Sequence, residues 1–173
     1  MIKEAIVLDK LKKEIKFKHT SVIQCIGLSN FSILEIISDK DVKPQEIINT
    51  ENQIVRRINY SKMTINAKRE LEKAIETIVI KNESKFVNFF NIAKPIGLRR
   101  HQLDLLPMIG KKHRMAIIQH IKEKGKFKSF KEINDIEMLP DPVKVIVNRI
   151  IDEIEGGPDI KYNLFTIPFV SNK

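Results

Sequence analysis

Hydrophobic positions change period about a third of the way along the chain. Up to residue 60 they come in short β-branched runs. Glu4–Leu11 is the first, Ser21–Gly27 (Ser-Val-Ile-Gln-Cys-Ile-Gly) the second and Phe31–Ile37 the third. Turn residues Leu28-Ser29-Asn30 separate the last two, and Asp39–Pro44 reads as a loop. Glu46–Asn49 is a further short run. Gln53–Ile58 reads as a fifth strand, or equally as the start of a helix. Five short strands in about 60 residues suit a small barrel of the OB type.

From residue 61 the period becomes helical. Leu71, Ala74, Ile75, Ile78 and Val79 share one helix face, behind Thr64 as N-cap. Glu83–Ile92 predicts a second helix with Phe86, Phe89 and Phe90 inward, as core. Pro95 ends it. A third helix is expected over Leu98–Leu106, stopping at Pro107. Ser129-Phe130-Lys131-Glu132 has the form of a capping box, opening a helix over Phe130–Ile136. Asp141-Pro142 pairs an N-cap with a first-turn proline, and that helix is expected to bury Val143, Ile146, Val147, Ile150, Ile151 and Ile154 and to stop at Gly156-Gly157. The last stretch, 158–173, is apolar enough (Tyr162, Leu164, Phe165, Ile167, Phe169) to pack back on the body as an edge strand. The expected division is therefore an OB-like domain over 1–60, a helical domain over 61–157 and a tail over 158–173.

Charge sharpens the second half. The 173 residues carry 31 Lys and Arg against 22 Asp and Glu, a net charge of +9. Residues 99–131 alone hold ten of those cations and two acids, net +8, so the rest of the chain nets only +1. A solvated face more often mixes both signs, so clustering on this scale points to a polyanionic partner. The opening residues lack the long apolar region of a signal peptide, no apolar run is long enough for a membrane span, and a cytoplasmic location is expected.

The basic segment contains Leu105-Leu106-Pro107-Met108-Ile109-Gly110-Lys111-Lys112-His113-Arg114 followed by an apolar helix. It resembles the helix-hairpin-helix, whose pattern is Leu-Pro-Gly-Ile/Val-Gly and then a basic residue. A tight turn aims backbone N–H groups outward where a helix begins, and the helix dipole adds positive charge there. A phosphate can sit on that end. The expected contacts are the Ile109 and Gly110 backbone with Lys111, Lys112 and Arg114, and with Arg99 and Arg100 just upstream. Met108 stands where the motif normally has its first glycine. A second, degenerate copy is read in Met138–Ile146, aligned on Leu105–His113 through its Leu-Pro pair. It lacks the glycine and the cations, so it is expected to serve packing only.

Other chemistry is thin. Lys16 and Lys18, with Phe17, His19 and Arg56-Arg57, would line the face of an OB barrel, or act as ordinary loop charges. One cysteine, Cys25, excludes an intrachain disulfide and a four-cysteine zinc site. No histidine has a ligand partner at metal-binding spacing, and neither metal nor cofactor is expected. Helix-hairpin-helix glycosylases put a lysine where Lys112 stands, but the aspartate they need would fall on Phe130. The chain is therefore expected not to be an enzyme.

Nearly the whole chain resembles one family of predicted nucleic-acid-binding OB-fold proteins, domain-of-unknown-function family 655. The resemblance is carried by Ala5–Asp9, Arg57–Tyr60, Phe86–Asn91, Arg99–Leu103, Pro107–Lys112, Leu139–Pro142 and Leu164–Thr166. The family has glycine at Met108 and a longer basic loop than Lys12–His19. What it implies is an α+β protein: an OB-like barrel, then an all-α domain of paired helix-hairpin-helix motifs, similar to a sterile-alpha-motif bundle. The expected partner is RNA or DNA, with RNA first and low sequence specificity. A scaffolding role in translation or transcription complexes, with a ribosomal or other protein partner, is the alternative, and a DNA-repair or junction-binding role ranks after it.

Overall fold

The computed structural model describes residues 2–15, 18–158 and 160–169, without the side chains of residues 14, 15, 18 and 19. The architecture is α+β. Five strands form one antiparallel sheet: β1 (Glu4–Ile15), β2 (Lys18–Gly27), β3 (Ile33–Ile37), β4 (Ile47–Asn49) and β5 (Ile54–Arg57), in the order β4-β1-β2-β3-β5. Five α-helices follow: α1 (Ile65–Lys81), α2 (Glu83–Ile92), α3 (Lys111–Lys124), α4 (Phe130–Asn134) and α5 (Pro142–Glu155). By internal packing the chain forms two units. One is Met1–Ile75 with Ile150–Lys173, and the other is Glu76–Arg149.

The sheet is curled into a half-barrel, and chain length requires it. β4 and β5 lie at opposite ends of the strand order, yet only residues 50–53 join them. Those four residues are folded, with the Gln53 N–H donating to Thr50 O at 3.4 Å. A β-turn holds its ends within about 7 Å. Two further Cα steps of about 3.8 Å give the connection a reach of at most about 15 Å. The edges of a flat five-stranded sheet would stand about 19 Å apart. The sheet therefore bends, with a register shift between Val7 and Asp9 in β1 helping it turn. Ala5, Val7, Ile23, Cys25, Leu34, Ile36 and Val42 fill one face as a core cluster. Ile6, Leu8, Val22, Ile26 and Ile33 are buried as well, which explains why these strands read as continuous apolar runs rather than alternating ones.

The first two strands are longer than their apolar pattern. Lys12–His19 was expected to be a loop, but Lys12 pairs with Ser21, Lys13 with Thr20, Glu14 with His19 and Ile15 with Lys18. Backbone pairing extends the ladder through polar residues whose side chains need no burial. Gln53–Ile58 resolves as a strand, over Ile54–Arg57.

A buried polar chain fixes the start of α1 to the sheet. Gln24 is fully buried. Its carbonyl accepts the Thr64 N–H at 2.9 Å, and its amide donates to Lys62 O at 3.1 Å and to Glu35 at 3.0 Å. Thr64 donates to Asp9 at 2.6 Å and caps α1 by accepting from Ala67 N–H at 3.0 Å. Glu35 is paired in turn with Lys13 and Arg56. Burial pushes its carboxyl up, but the donors Lys13, Gln24 and Arg56 outweigh burial and hold it below its usual value.

The tail is tied down by a carboxylate rather than by strand pairing. Glu153, buried near the end of α5, accepts the backbone N–H groups of Leu164, Phe165 and Thr166 at 2.6, 3.1 and 2.9 Å. Three successive amides make an anion nest, and the chain fills it with its own acid. Arg57 at the end of β5 donates to Ile167 O at 3.0 Å.

In the second unit, α2 spans the predicted residues, with Phe86 and Phe90 buried and Phe89 half-buried. The expected helix over Leu98–Leu106 is instead a hairpin-like loop and one 3-10 turn, Gln102–Leu105. The loop closes through Ile96 N–H to Arg100 O at 2.9 Å and Gln102 N–H to Lys94 O at 3.0 Å. His101 then caps the turn, accepting from Leu103 N–H at 3.2 Å while Asp104 accepts from His101 N–H at 2.9 Å. Phe130–Ile136 shortens to α4. Ser129 caps it as expected at 3.3 Å, but Glu132 reaches back to the Lys128 N–H at 2.7 Å, not to that of Ser129. Among the described residues no helix is long and apolar enough to cross a membrane, and no group of three acids, histidines or cysteines is placed to hold a metal.

Two outcomes are expected from this packing. Gln24→Leu leaves Thr64 N–H, Lys62 O and Glu35 short of partners, so it should cost about 2–4 kcal/mol. Urea unfolding measures this, and a loss under about 0.5 kcal/mol would remove the network from the account. Glu153→Gln should speed amide hydrogen exchange at Leu164–Thr166 about tenfold or more, as weakened charge-assisted bonds require. Unchanged protection there would mean that the tail is held by other contacts.

Candidate nucleic-acid interface

The turn before α3 is built from four residues. Pro107 fixes its own φ, Met108 takes the left-handed conformation at φ +62°, and the Ile109 N–H donates back to Leu106 O at 3.3 Å. This is the form of a type II turn, with proline second and a positive φ third. Leu106 and Ile109 are buried on either side and anchor it, while Met108 points out, 54% exposed. The buried Arg149 guanidinium donates to Leu105 O at 2.9 Å and holds the residue entering the turn.

Gly110 follows in extended conformation, φ −97° and ψ −179°, as the N-cap of α3. The first α-helical bond is Arg114 N–H to Gly110 O at 3.0 Å. The amides of Lys111, Lys112 and His113 precede it and so have no partner within the helix. Lys111 and Lys112 are exposed. The Gly110 N–H itself donates to His113 Nδ1 at 3.2 Å, so the imidazole lies folded over the helix start. Nothing stands within 4 Å of where a Cβ on Gly110 would be.

The structure sorts the expected contact residues unevenly. The Ile109 and Gly110 backbone, Lys111 and Lys112 come together at the helix start. Ile109's side chain is core. Arg114 does not join them as a free cation, because it is ion-paired with Asp104 and mostly buried. Arg99 and Arg100 are exposed on the separate Lys94–Gln102 loop, with the neighbouring Leu98 wholly exposed. Lys16 lies outside the described residues, and so does the side chain of Lys18. The roles of Asp104, Arg149 and His113 were not read from the sequence. Asp104 is the lone acid among Arg99–Ile121, which is the one signal that could have marked it. Burial pushes the His101 imidazole down, Asp104 pulls it up and Arg114 pushes it down. The balance lies below its usual value, which suits a ring that accepts at Nδ1.

The second copy of the turn exists, in a different register. Ile136-Glu137-Met138-Leu139 repeats the geometry: Met138 has φ +67° and Leu139 N–H donates to Ile136 O at 3.2 Å. Met138 therefore matches Met108, not Leu105, and Pro140 falls after the turn. The backbone sign change and the closing hydrogen bond define the turn, and a Leu-Pro pair does not. The helix start beyond it has fewer donors to offer. Pro140 and Pro142 have no N–H, and Asp141 already accepts the Val143 N–H at 2.9 Å.

The sequence model of the family described as protein of unknown function (DUF655) matches residues 1–167. An uncharacterized protein of Methanocaldococcus jannaschii is 33% identical over 153 residues, 83% of this chain and 70% of that one. A crystal structure of a DUF655 protein from Archaeoglobus fulgidus matches with a TM-score of 0.82 at 35% identity, over 95% of this chain and 99% of the other.

Met108→Gly should stabilise the protein by about 1 kcal/mol, since it relieves a left-handed L-residue and removes little packing. Thermal and urea unfolding measure the change. A loss of stability would mean that the Met108 side chain makes a contact worth more than the strain.

Proposed function

The chain belongs to the family described as protein of unknown function (DUF655), and on that premise we propose that it binds nucleic acid by its phosphate backbone, without chemistry of its own. The half-barrel is read as an OB-like domain, and the two matching turns as a pair of helix-hairpin-helix motifs of which only the first binds. The observation that carries the reading is Gly110. Its backbone conformation is open to any residue, and a Cβ there would touch nothing in the protein. Glycine at this place keeps space clear outside the molecule, in front of a helix start flanked by Lys111 and Lys112. A phosphate oxygen fits that space, taking the free amides of α3 and the Gly110 N–H that His113 now holds. RNA or a structured nucleic acid is the proposed partner. Specificity is low, because phosphates carry no base information.

Binding to fluorescent RNA and DNA should fall with salt, with a slope of log K against log salt of about −2 to −4.5 for three to five neutralised phosphates. Gly110→Val should remove most binding and leave the circular dichroism unchanged, because its side chain pushes only on the ligand. Lys111→Ala with Lys112→Ala should weaken binding more gradually, since it leaves the backbone cradle in place. A flat salt response, or parent-like binding by Gly110→Val while the lysine pair abolishes it, would overturn the reading.

A further inference from the structure

The basic segment does not end at the helix start. Lys122 near the end of α3, Lys126 and Lys128 in the loop beyond it and Lys131 in α4 are all exposed, and none is in an ion pair among the described residues. Lys111, Met115, Ile118 and Lys122 are exposed at intervals of four, three and four residues, so they form one stripe along α3. Eleven residues of helix separate Lys111 from Lys122, which is about 16 Å. The cations thus stand at the two ends of a rigid rod, with apolar side chains between them. Acids line the neighbouring flank: Glu123, Glu132, Asp135 and Glu137 form a cleft with Ala116, His120 and Lys124, and Glu132 also accepts the Lys128 backbone N–H. That flank repels phosphate, so Lys124, which lines it, is left out of the stripe.

Resting on the phosphate grip proposed above, we infer that the partner is double-stranded and lies along this stripe, held at the helix start and again by Lys122, Lys126 and Lys128. A duplex presents about one charge per 1.7 Å of its axis, already fixed in place, so a rod with cations about 16 Å apart meets two sets of phosphates at once. A single strand would have to be ordered over the same distance, and proteins hold single strands by stacking bases on aromatic side chains. The second unit offers no open pair of rings for this. Phe86, Phe90, Phe127 and Phe130 are buried, half-buried Phe89 packs edge-on against Phe90 at 5.9 Å, and His120 is stacked on Phe127 at 4.5 Å.

The test uses the full chain with RNA and DNA duplexes of about 16 base pairs and the matching single strands, titrated against salt. The duplex should bind at least about tenfold tighter than its single strand, and the RNA and DNA arms identify which duplex is held. Replacing Lys122, Lys126 and Lys128 together by glutamine should flatten the duplex salt slope by about 2 and remove most of the duplex preference. The same three changed to arginine should keep both, which separates lost charge from damaged folding. Single strands binding as well as duplexes would overturn the inference, and so would a glutamine variant with the parent's slope. If Gly110→Val abolishes binding while the glutamine variant matches the parent, the grip stands and this inference alone falls. If the parent binds no nucleic acid, both fall.

Discussion

One buried amide sets the geometry of the sheet unit. Gln24 lies in the middle of the central strand, where an apolar residue would pack without further conditions. Its three hydrogen bonds go to the chain entering α1 and to Glu35, so the sheet and the helix can dock in one way only. A leucine of similar size would allow the helix start to slide, because apolar contact has no direction. The cost is a demand for complete satisfaction, since a buried polar group without a partner loses its full hydration. Glu35 meets that demand by drawing in Lys13 and Arg56 from the strands on either side of β2 and β3. The network thus crosses four elements: β1, β2, β3 and β5. It braces the sheet against the curl that the short connection between β4 and β5 imposes.

The helical unit uses a different device twice. Both turns need a left-handed residue, and both place methionine there, at φ +62° and +67°. Strain of this kind persists only where the surroundings over-determine the backbone. At the first turn, Leu106 and Ile109 are buried on either side and Arg149 holds Leu105 from α5. The turn is therefore fixed by the protein's own packing. At the second turn the same backbone leads into two prolines, which have no N–H, and an aspartate cap that takes the Val143 N–H. Equal geometry with a smaller donor supply is what two copies would show if one had been kept for packing.

Much of this was legible in periodicity. The face Leu71–Val79, the α2 phenylalanines and the Asp141-Pro142 start each rest on local rules, and they stand where those rules put them. The misses share a cause. Residues 98–106 look helical in composition, but the His101 ring accepts the Leu103 N–H and Asp104 accepts the His101 N–H, which closes a single turn in place of a helix. Lys12–His19 looks like a loop because it is polar, and strand pairing depends on backbone partners that polarity does not reveal. The second turn was misplaced by two to three residues because proline was taken as its marker. Arg114 was counted as a free cation, although Asp104, ten residues earlier, neutralises it across the fold. In all four the residue types are visible in the sequence, and the partners that their backbone and side chains choose are not.

The division between Met108 and Gly110 bears most on function. Of the two positions, only 108 has a conformation that favours glycine, and it holds methionine. Position 110 has a conformation that any residue adopts, and it holds glycine. Folding alone would assign them the other way round. Glycine in an exposed N-cap is no better than serine, asparagine or aspartate for the helix, and those would add a cap bond of their own. Here the N-cap has no side chain to accept an amide of the helix start, and His113 accepts a different one, the N–H of Gly110 itself. The arrangement leaves the amides of Lys111, Lys112 and His113 without a cap side chain, beside two exposed lysines. Stability alone does not call for glycine at such an N-cap, whereas the phosphate ligand proposed above, which must come within hydrogen-bond distance of the backbone, would call for it.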